Sequence, residues 1–298
     1  MNYVILDIEW NGSYVPKLGG YFNEIIEIGA VMVDDSLQVV SEWSAVIRPV
    51  VSRKLTSLVR NLTGIEDADL TDGVSFGDAL AELRLWINDA DAVIMTWSTT
   101  DLLVILENCR YFFQEQRIPF MSYYADLQAY CQSRLELGNT QQLGLENACG
   151  LLGIEENELS HHRALDDSKL SARVFAKVDT PGRFAPFIKV ADAEFYRWLT
   201  FKNTIVNDLN SPHVSSKDLK FHCEICGAPL IPEKDWGFRG RMFRVDMTCA
   251  ICDVKYEARV QVKLKFDGPV TNRRIRVKPV EEPEAERVEV ENGQEEEK

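Results

Sequence analysis

The first residues alternate as a strand requires. In VILDIEWN, Val4, Leu6 and Ile8 fall on one side of an extended backbone and Ile5, Asp7 and Glu9 on the other. A strand that is apolar on both faces belongs in the middle of a sheet, so residues 2–9 are expected to be central. Two more β-rich runs, 25–34 and 38–47, follow over short connections, the second after the turn-like Asp34-Asp35-Ser36. Connections this short favour an antiparallel meander. From residue 75 the period becomes helical: Phe76, Ala79, Leu80, Leu83 and Ile87 recur on one face behind a serine cap. A short buried strand over 92–96, a helix over 100–113, a strand near 122–125 and helices over 127–137, 141–152 and 165–178 complete the pattern. Strands alternating with helices add parallel members to the meander. The expected fold is α/β, a mixed five-stranded sheet flanked by helices.

Thr180-Pro181-Gly182 closes this unit, giving a domain over 1–180. Residues 181–220 read as a helical segment, with Phe195, Tyr196, Trp198, Leu199 and Phe201, followed by a linker through Ser211-Pro212. A small β-rich module spans 221–280, and a Pro/Glu-rich tail over 281–298 has too few apolar residues to fold.

Composition changes this picture in two ways. The net charge of −14 argues against a nucleic-acid partner until it is divided along the chain. Residues 281–298 carry −7 and residues 221–280 carry +5, so a basic module stands between an acidic domain and an acidic tail. The tail is expected to be solvating or to compete with nucleic acid for the basic module. No apolar run approaches the roughly 20 residues needed to cross a bilayer, and no secretory leader is recognisable. A cytoplasmic, intracellular protein is therefore expected. Of seven cysteines, Cys109, Cys131 and Cys149 lie in helical stretches and read as core thiols.

Carboxylates cost free energy when half buried and repel one another when gathered. Asp7 and Glu9 leave one face of a central strand, Asp101 follows the strand at 92–96, and His162 and Asp167 flank a helix start. Each alone also reads as ordinary: a charged strand face, a helix cap, a loop histidine, a solvated helix position. Held together, such acids suit Mg²⁺ or Mn²⁺, with the histidine as a titratable base.

This ordering resembles the DEDDh family of 3′–5′ exonucleases, which have an RNase H-like fold. The first motif matches Asp7-Ile8-Glu9, the second Thr96-Trp97-Ser98-Thr99-Thr100-Asp101, and the third His162-Arg163-Ala164-Leu165-Asp166-Asp167. His161 with Asp166 has the same five-residue spacing as His162 with Asp167, and the family pattern His-Arg-x-x-Asp-Asp selects the latter. Residues 24–30 and 62–65 are similar to the Eri-type branch, which acts on RNA 3′ ends. Trp10-Asn11 and Ser98 differ from residues common in relatives. The resemblance covers about residues 1–178. It implies that Asp7, Glu9, Asp101 and Asp167 hold two Mg²⁺ or Mn²⁺ ions and that His162 is the general base. Hydrolysis would release nucleoside 5′-monophosphates from single-stranded nucleic acid, RNA favoured over DNA. A DNA exonuclease of the proofreading or repair kind and a binding scaffold without turnover are the alternatives.

In the basic module, Cys223-x2-Cys226 and Cys249-x2-Cys252 read as two knuckles of a zinc ribbon holding one structural Zn²⁺. Aromatic and basic residues interleave around them, as in surfaces that bind single-stranded nucleic acid, though a small ribbon core with a solvated basic rim, or a docking surface for a protein partner, reads equally well. Trp10, Trp97, Trp236, Arg239, Arg241 and Arg244 are the candidate nucleic-acid contacts.

Overall fold

The computed structural model describes residues 2–52, 54–137, 142–155, 162–179 and 183–279. Gln141, His161, residues 180–182 and the acidic tail at 281–298 lie outside them. The chain divides into two units, Met1–Thr200 and Phe201–Lys298.

In the first unit, β1 (Tyr3–Val15), β2 (Gly20–Val33) and β3 (Val39–Val46) form the expected antiparallel meander. Next come α1 (Ser57–Thr63), α2 (Phe76–Ile87), β4 (Val93–Thr96), α3 (Thr99–Phe113), β5 (Tyr123–Asp126), α4 (Leu127–Arg134), α5 (Leu145–Leu152), α6 (Ala164–Val178), β6 (Lys189–Val190) and α7 (Ala193–Leu199). The strand order is β3-β2-β1-β4-β5-β6. β4 joins β1, and β5 joins β4, in parallel. β1 is thus central, as its two-sided apolar pattern requires. The two-residue β6 adds an antiparallel sixth strand to the five expected.

The alternation in β1 divides the core. Val4, Leu6 and Ile8 pack with α2, α3 and α7, whereas Ile5 packs with residues of α4, α5 and α6. Asp7 and Glu9 consequently face the side covered by α6. Cys109, Cys131 and Cys149 are buried in these cores.

Of residues 181–220, read from sequence as a helical segment and a linker, the described ones are shared between the units. Phe184, Ala191, Phe195, Tyr196 and Leu199 pack into the first. The short β7 (Thr204–Ile205) pairs with a strand of the second. The reason is apolar content: α7 buries three of its seven residues against the sheet, including Phe195 over Tyr124 with ring centroids 4.0 Å apart.

The second unit continues with β8 (Leu230–Pro232), β9 (Gly237–Arg239), β10 (Met242–Cys249), β11 (Lys255–Lys265) and β12 (Gly268–Val277), in antiparallel pairs. Strict alternation in β10 and β11 sends Phe243, Val245, Met247, Tyr256, Ala258, Val260 and Val262 inward. No described helix is long and apolar enough to cross a membrane.

Candidate active site

Three elements converge on the acids. Asp7 and Glu9 leave β1 on one face, next to a register shift between Glu9 and Trp10 against β2. Bulges of this kind re-aim side chains beside functional sites. Asp167 comes from the first turn of α6. Ligand oxygens of Asp7, Glu9 and Asp167 all lie within 4.8 Å of one another. Asp101 enters from the first turn of α3, whose cap Ser98 accepts from the Thr100 N–H at 3.2 Å. Only 7 % exposed, Asp101 is close enough to repel Asp7.

The position of α6 depends on one glycine. Gly29 of β2 is paired with Asp7 across the meander. A Cβ at Gly29 would stand 2.1 Å from the Leu165 nitrogen, so only a residue without a side chain lets the start of α6 lie against this strand. The contact is fastened by Ser168, whose hydroxyl donates to the Gly29 carbonyl at 3.0 Å.

Glu27, paired with Glu9, completes the clamp. Its carboxylate accepts the Ala164 N–H at 3.1 Å, capping α6 from a neighbouring strand. The same carboxylate takes Arg163 Nε at 3.1 Å and Nη2 at 2.5 Å in a two-pronged ion pair. Glu24, on the same strand, accepts the backbone N–H groups of Val50, Val51 and Ser52, which fixes the chain leaving β3. Residues 62–65 close α1: Thr63 donates to the Val59 carbonyl and accepts from Ile65, with Gly64 left-handed at φ 69°. The family resemblance marked these segments without saying what they do: Glu27 braces α6 directly, whereas Ile65 packs against Ile26 on the same strand as Glu27.

Burial and mutual repulsion set the electrostatics. Asp7 is raised well above the usual carboxylate range, by burial first and then by Asp101, Asp167, Glu9 and Glu27. Glu9 is pushed up to about 8 by burial and by Asp167. Burial and Asp126 bring Asp101 to about 7. Asp126, the cap of α4, is a neighbour that no sequence motif singles out. Acids lifted this far cannot all ionise cheaply at neutral pH unless a cation lies among them. An all-oxygen donor set of this kind fits Mg²⁺ or Mn²⁺.

His162 is exposed, in left-handed conformation at φ 62°, one residue before the Arg163 that the clamp holds. The flanking tryptophans are partly buried. Trp10 packs on the α2–α3 side of the sheet, and Trp97 donates its indole N–H to the Leu143 carbonyl at 2.9 Å.

In the second unit, Cys223, Cys226, Cys249 and Cys252 bring their sulfurs within 4.8 Å of one another. Four thiolates around Zn²⁺ at about 2.3 Å form a tetrahedron with edges of roughly 3.8 Å. The 3.5 Å between Cys226 and Cys249 is near that value. Each knuckle turns through a positive φ, at Gly227 (74°) and Asp253 (55°). The Tyr256 hydroxyl, 3.2 Å from Cys223, holds that thiol down at about 6. Trp236 packs partly into the ribbon core beside Phe221. Arg239 and Arg244 share the outer sheet face, whereas Arg241 occupies the turn between β9 and β10.

Comparison with known proteins agrees with this geometry. The exonuclease family model RNase_T matches residues 4–175, more than half of the chain. The Bacillus subtilis (strain 168) protein described as probable 3′–5′ exonuclease KapD is 29 % identical over 180 residues, covering 59 % of this chain and 83 % of that one. A PolC-type DNA polymerase III of Thermotoga petrophila is 26 % identical over 231 residues, 75 % of this chain but 14 % of the polymerase. Among solved structures, the nuclease domain of 3′hExo, a DEDDh family member bound to rAMP, has a TM-score of 0.53 at 19 % identity. That overlay covers 64 % of this chain and 96 % of that one, and it speaks to the fold. The match over residues 4–175 makes the chain a member of the RNase_T exonuclease family.

Proposed function

We propose that the protein removes nucleotides from the 3′ end of single-stranded nucleic acid, RNA in preference to DNA, and releases nucleoside 5′-monophosphates. The observation that carries this reading is the meeting of Asp7, Glu9 and Asp167 oxygens within 4.8 Å, with Asp101 beside them. Two Mg²⁺ or Mn²⁺ ions held by these four acids would supply positive charge at the scissile phosphate and lower the pKa of the attacking water. The acids orient that charge, because β1, α3 and α6 fix each of them by packing. His162 takes the proton of the attacking water, a role worth about 10²–10⁴-fold in rate. Its exposure gives that proton a route to solvent. In the second unit, Cys223, Cys226, Cys249 and Cys252 hold one structural Zn²⁺, with no open coordination position for catalysis.

Support for RNA comes from the Eri-type resemblance of residues 24–30 and of the third motif. A related structure described as 3′-end recognition of a histone mRNA stem-loop shares the fold, with a TM-score of 0.52 at 18 % identity. The DNA reading rests on the PolC-type relatives, one of which aligns over 231 residues. Matched 5′-labelled RNA and DNA strands, incubated with Mg²⁺ or Mn²⁺, separate the two. The proposal expects a ladder shortening from the 3′ end, faster on RNA, with mononucleotide 5′-phosphates as the product. Faster loss of DNA would install the second reading. Internal cuts or 3′-phosphate products would contradict both.

A further inference from the structure

The outer face of the second unit carries its charges in rows. Directly opposed residues of antiparallel strands share a face. Arg244 of β10, Arg259 of β11 and Arg274 of β12 therefore form one row across three strands. The next row is Asp246, Glu257 and Arg276. A third holds Thr248 and Lys255, with Lys278 joined by its N–H to the Lys255 carbonyl at 2.9 Å. The other side of β10 and β11 supplies the apolar core, so these charged side chains are not needed to fill it.

Like charges directly opposed on a sheet are destabilising, and the acids in the middle row only partly offset them. Glu257, its side chain 14 % exposed, faces Arg259 at 2.6 Å, Arg276 at 2.8 Å and Arg244 at 3.5 Å. Asp246 faces Lys278 at 3.0 Å and Lys234 at 3.3 Å. One carboxylate among three guanidiniums, and one between two ammoniums, tether the cations and leave positive charge in excess. The Nε–H groups of Arg244 and Arg259 are buried with no hydrogen-bond partner among the described residues. Arg239 and Arg274 are exposed and form no ion pair with a described residue. Much of this face borders an open groove of about 530 Å³.

We propose that this face binds the phosphate backbone of single-stranded nucleic acid, as a contact site separate from the acid cluster. Guanidiniums match phosphate oxygens in geometry as well as charge. A ladder of one sign suits a ligand whose charges repeat. That the polyanion is nucleic acid rests on the exonuclease reading; the positive excess does not.

The test uses the full zinc-loaded chain carrying Asp7→Asn to block hydrolysis, and fluorescence anisotropy with labelled 20-nucleotide oligo(U) and oligo(dT). Arg239→Glu/Arg274→Glu should weaken binding at least about 10-fold and reduce the salt slope by roughly two. The charge-matched control Lys202→Glu/Lys217→Glu, at exposed sites elsewhere in the same unit, should change it little. With Asp7 restored, the Arg239/Arg274 variant should lose kcat/KM on the 20-mer and keep it on a dinucleotide. Unchanged affinity in that variant, or an equal loss in the control, overturns the proposal. So does tight binding of a polyglutamate peptide without binding of either strand, which would make the face a protein-docking surface. If the exonuclease reading itself fails, all strands stay intact while the anisotropy result still decides the face.

Discussion

Acids crowd together in both units of this protein, with opposite consequences. In the first unit, Asp7, Glu9 and Asp101 are all raised in pKa, by burial first and then by neighbouring acids. In the second, Asp246 and Glu257 are directly opposed on neighbouring strands, yet both are lowered, by Lys278 and Lys234 and by Arg259 and Arg276. The chemical groups are alike; what differs is whether the chain brings its own cations. The acid cluster of the first unit is left short of positive charge, which a divalent ion can supply. The basic face of the second is left with a surplus, which a phosphate backbone can absorb. Unmet charge of either sign points to the ligand.

The comparison is broken most severely at Asp7. Asp7→Ala should lower hydrolysis by about 10³-fold or more, the scale on which preorganised charge stabilisation operates. The far-ultraviolet circular dichroism should not change, which separates lost chemistry from lost fold.

Next is Gly29→Ala, which touches no acid. With a Cβ 2.1 Å from the Leu165 nitrogen, α6 has to move, and Asp167 with it. Overpacking of this kind costs about 1–3 kcal/mol. Misplacement near 1 Å can cost roughly 10²-fold in rate. Kinetics and denaturant unfolding of one preparation would show the rate falling further than the stability.

A smaller effect of opposite sign is expected at Glu9. Its folded pKa of about 8 lies above the ordinary 4.5, so folded-state stability falls as pH rises between those values. Glu9→Gln should therefore raise the melting midpoint at neutral pH by about 2–4 °C without added divalent ion, and flatten its pH dependence. Mg²⁺ should then raise the midpoint of the wild type more than that of the variant, although the variant is the less active enzyme.

Smallest is Glu257→Gln. Because Glu257 is lowered below 4.5, its stabilising contribution is present above that pH and lost as the pH falls through its folded value. The variant should be less stable at pH 7 by about 1 kcal/mol or less, and the difference should vanish in acid. Thermal melts followed through the ribbon fluorophore Trp236 would read it.

Much of the first unit was legible in the sequence because burial imposes periodicity. The alternation at residues 4–9 placed β1 centrally and put Asp7 and Glu9 on one face, and the helical period around Asp167 located α6. Strand ends were harder to read: β1 runs on to Val15 and β2 begins at Gly20, through a mixture of polar, glycine and aromatic residues that shows no clean alternation. α1 was missed because Thr63 is its one buried residue, and the two-residue β6 is too short to show a period. Least legible was the scaffolding. Glu27 and Arg163 meet across 136 residues, and nothing near either in sequence indicates the other. The basic composition of residues 221–280 was plain, but the alignment of Arg244, Arg259 and Arg274 into a row depends on register, which alternation does not fix.

The central claim is that the acid cluster of the first unit is left without paired cations, whereas the acids of the second unit have them. Titration of the zinc-loaded chain with Mn²⁺, following the free aquo ion by electron paramagnetic resonance, tests it without reference to activity. The account predicts saturable loss of the free Mn²⁺ signal with wild type, strongly weakened in Asp7→Asn and unchanged in Arg239→Glu/Arg274→Glu. Equal Mn²⁺ uptake by wild type and Asp7→Asn, or none by either, would contradict it.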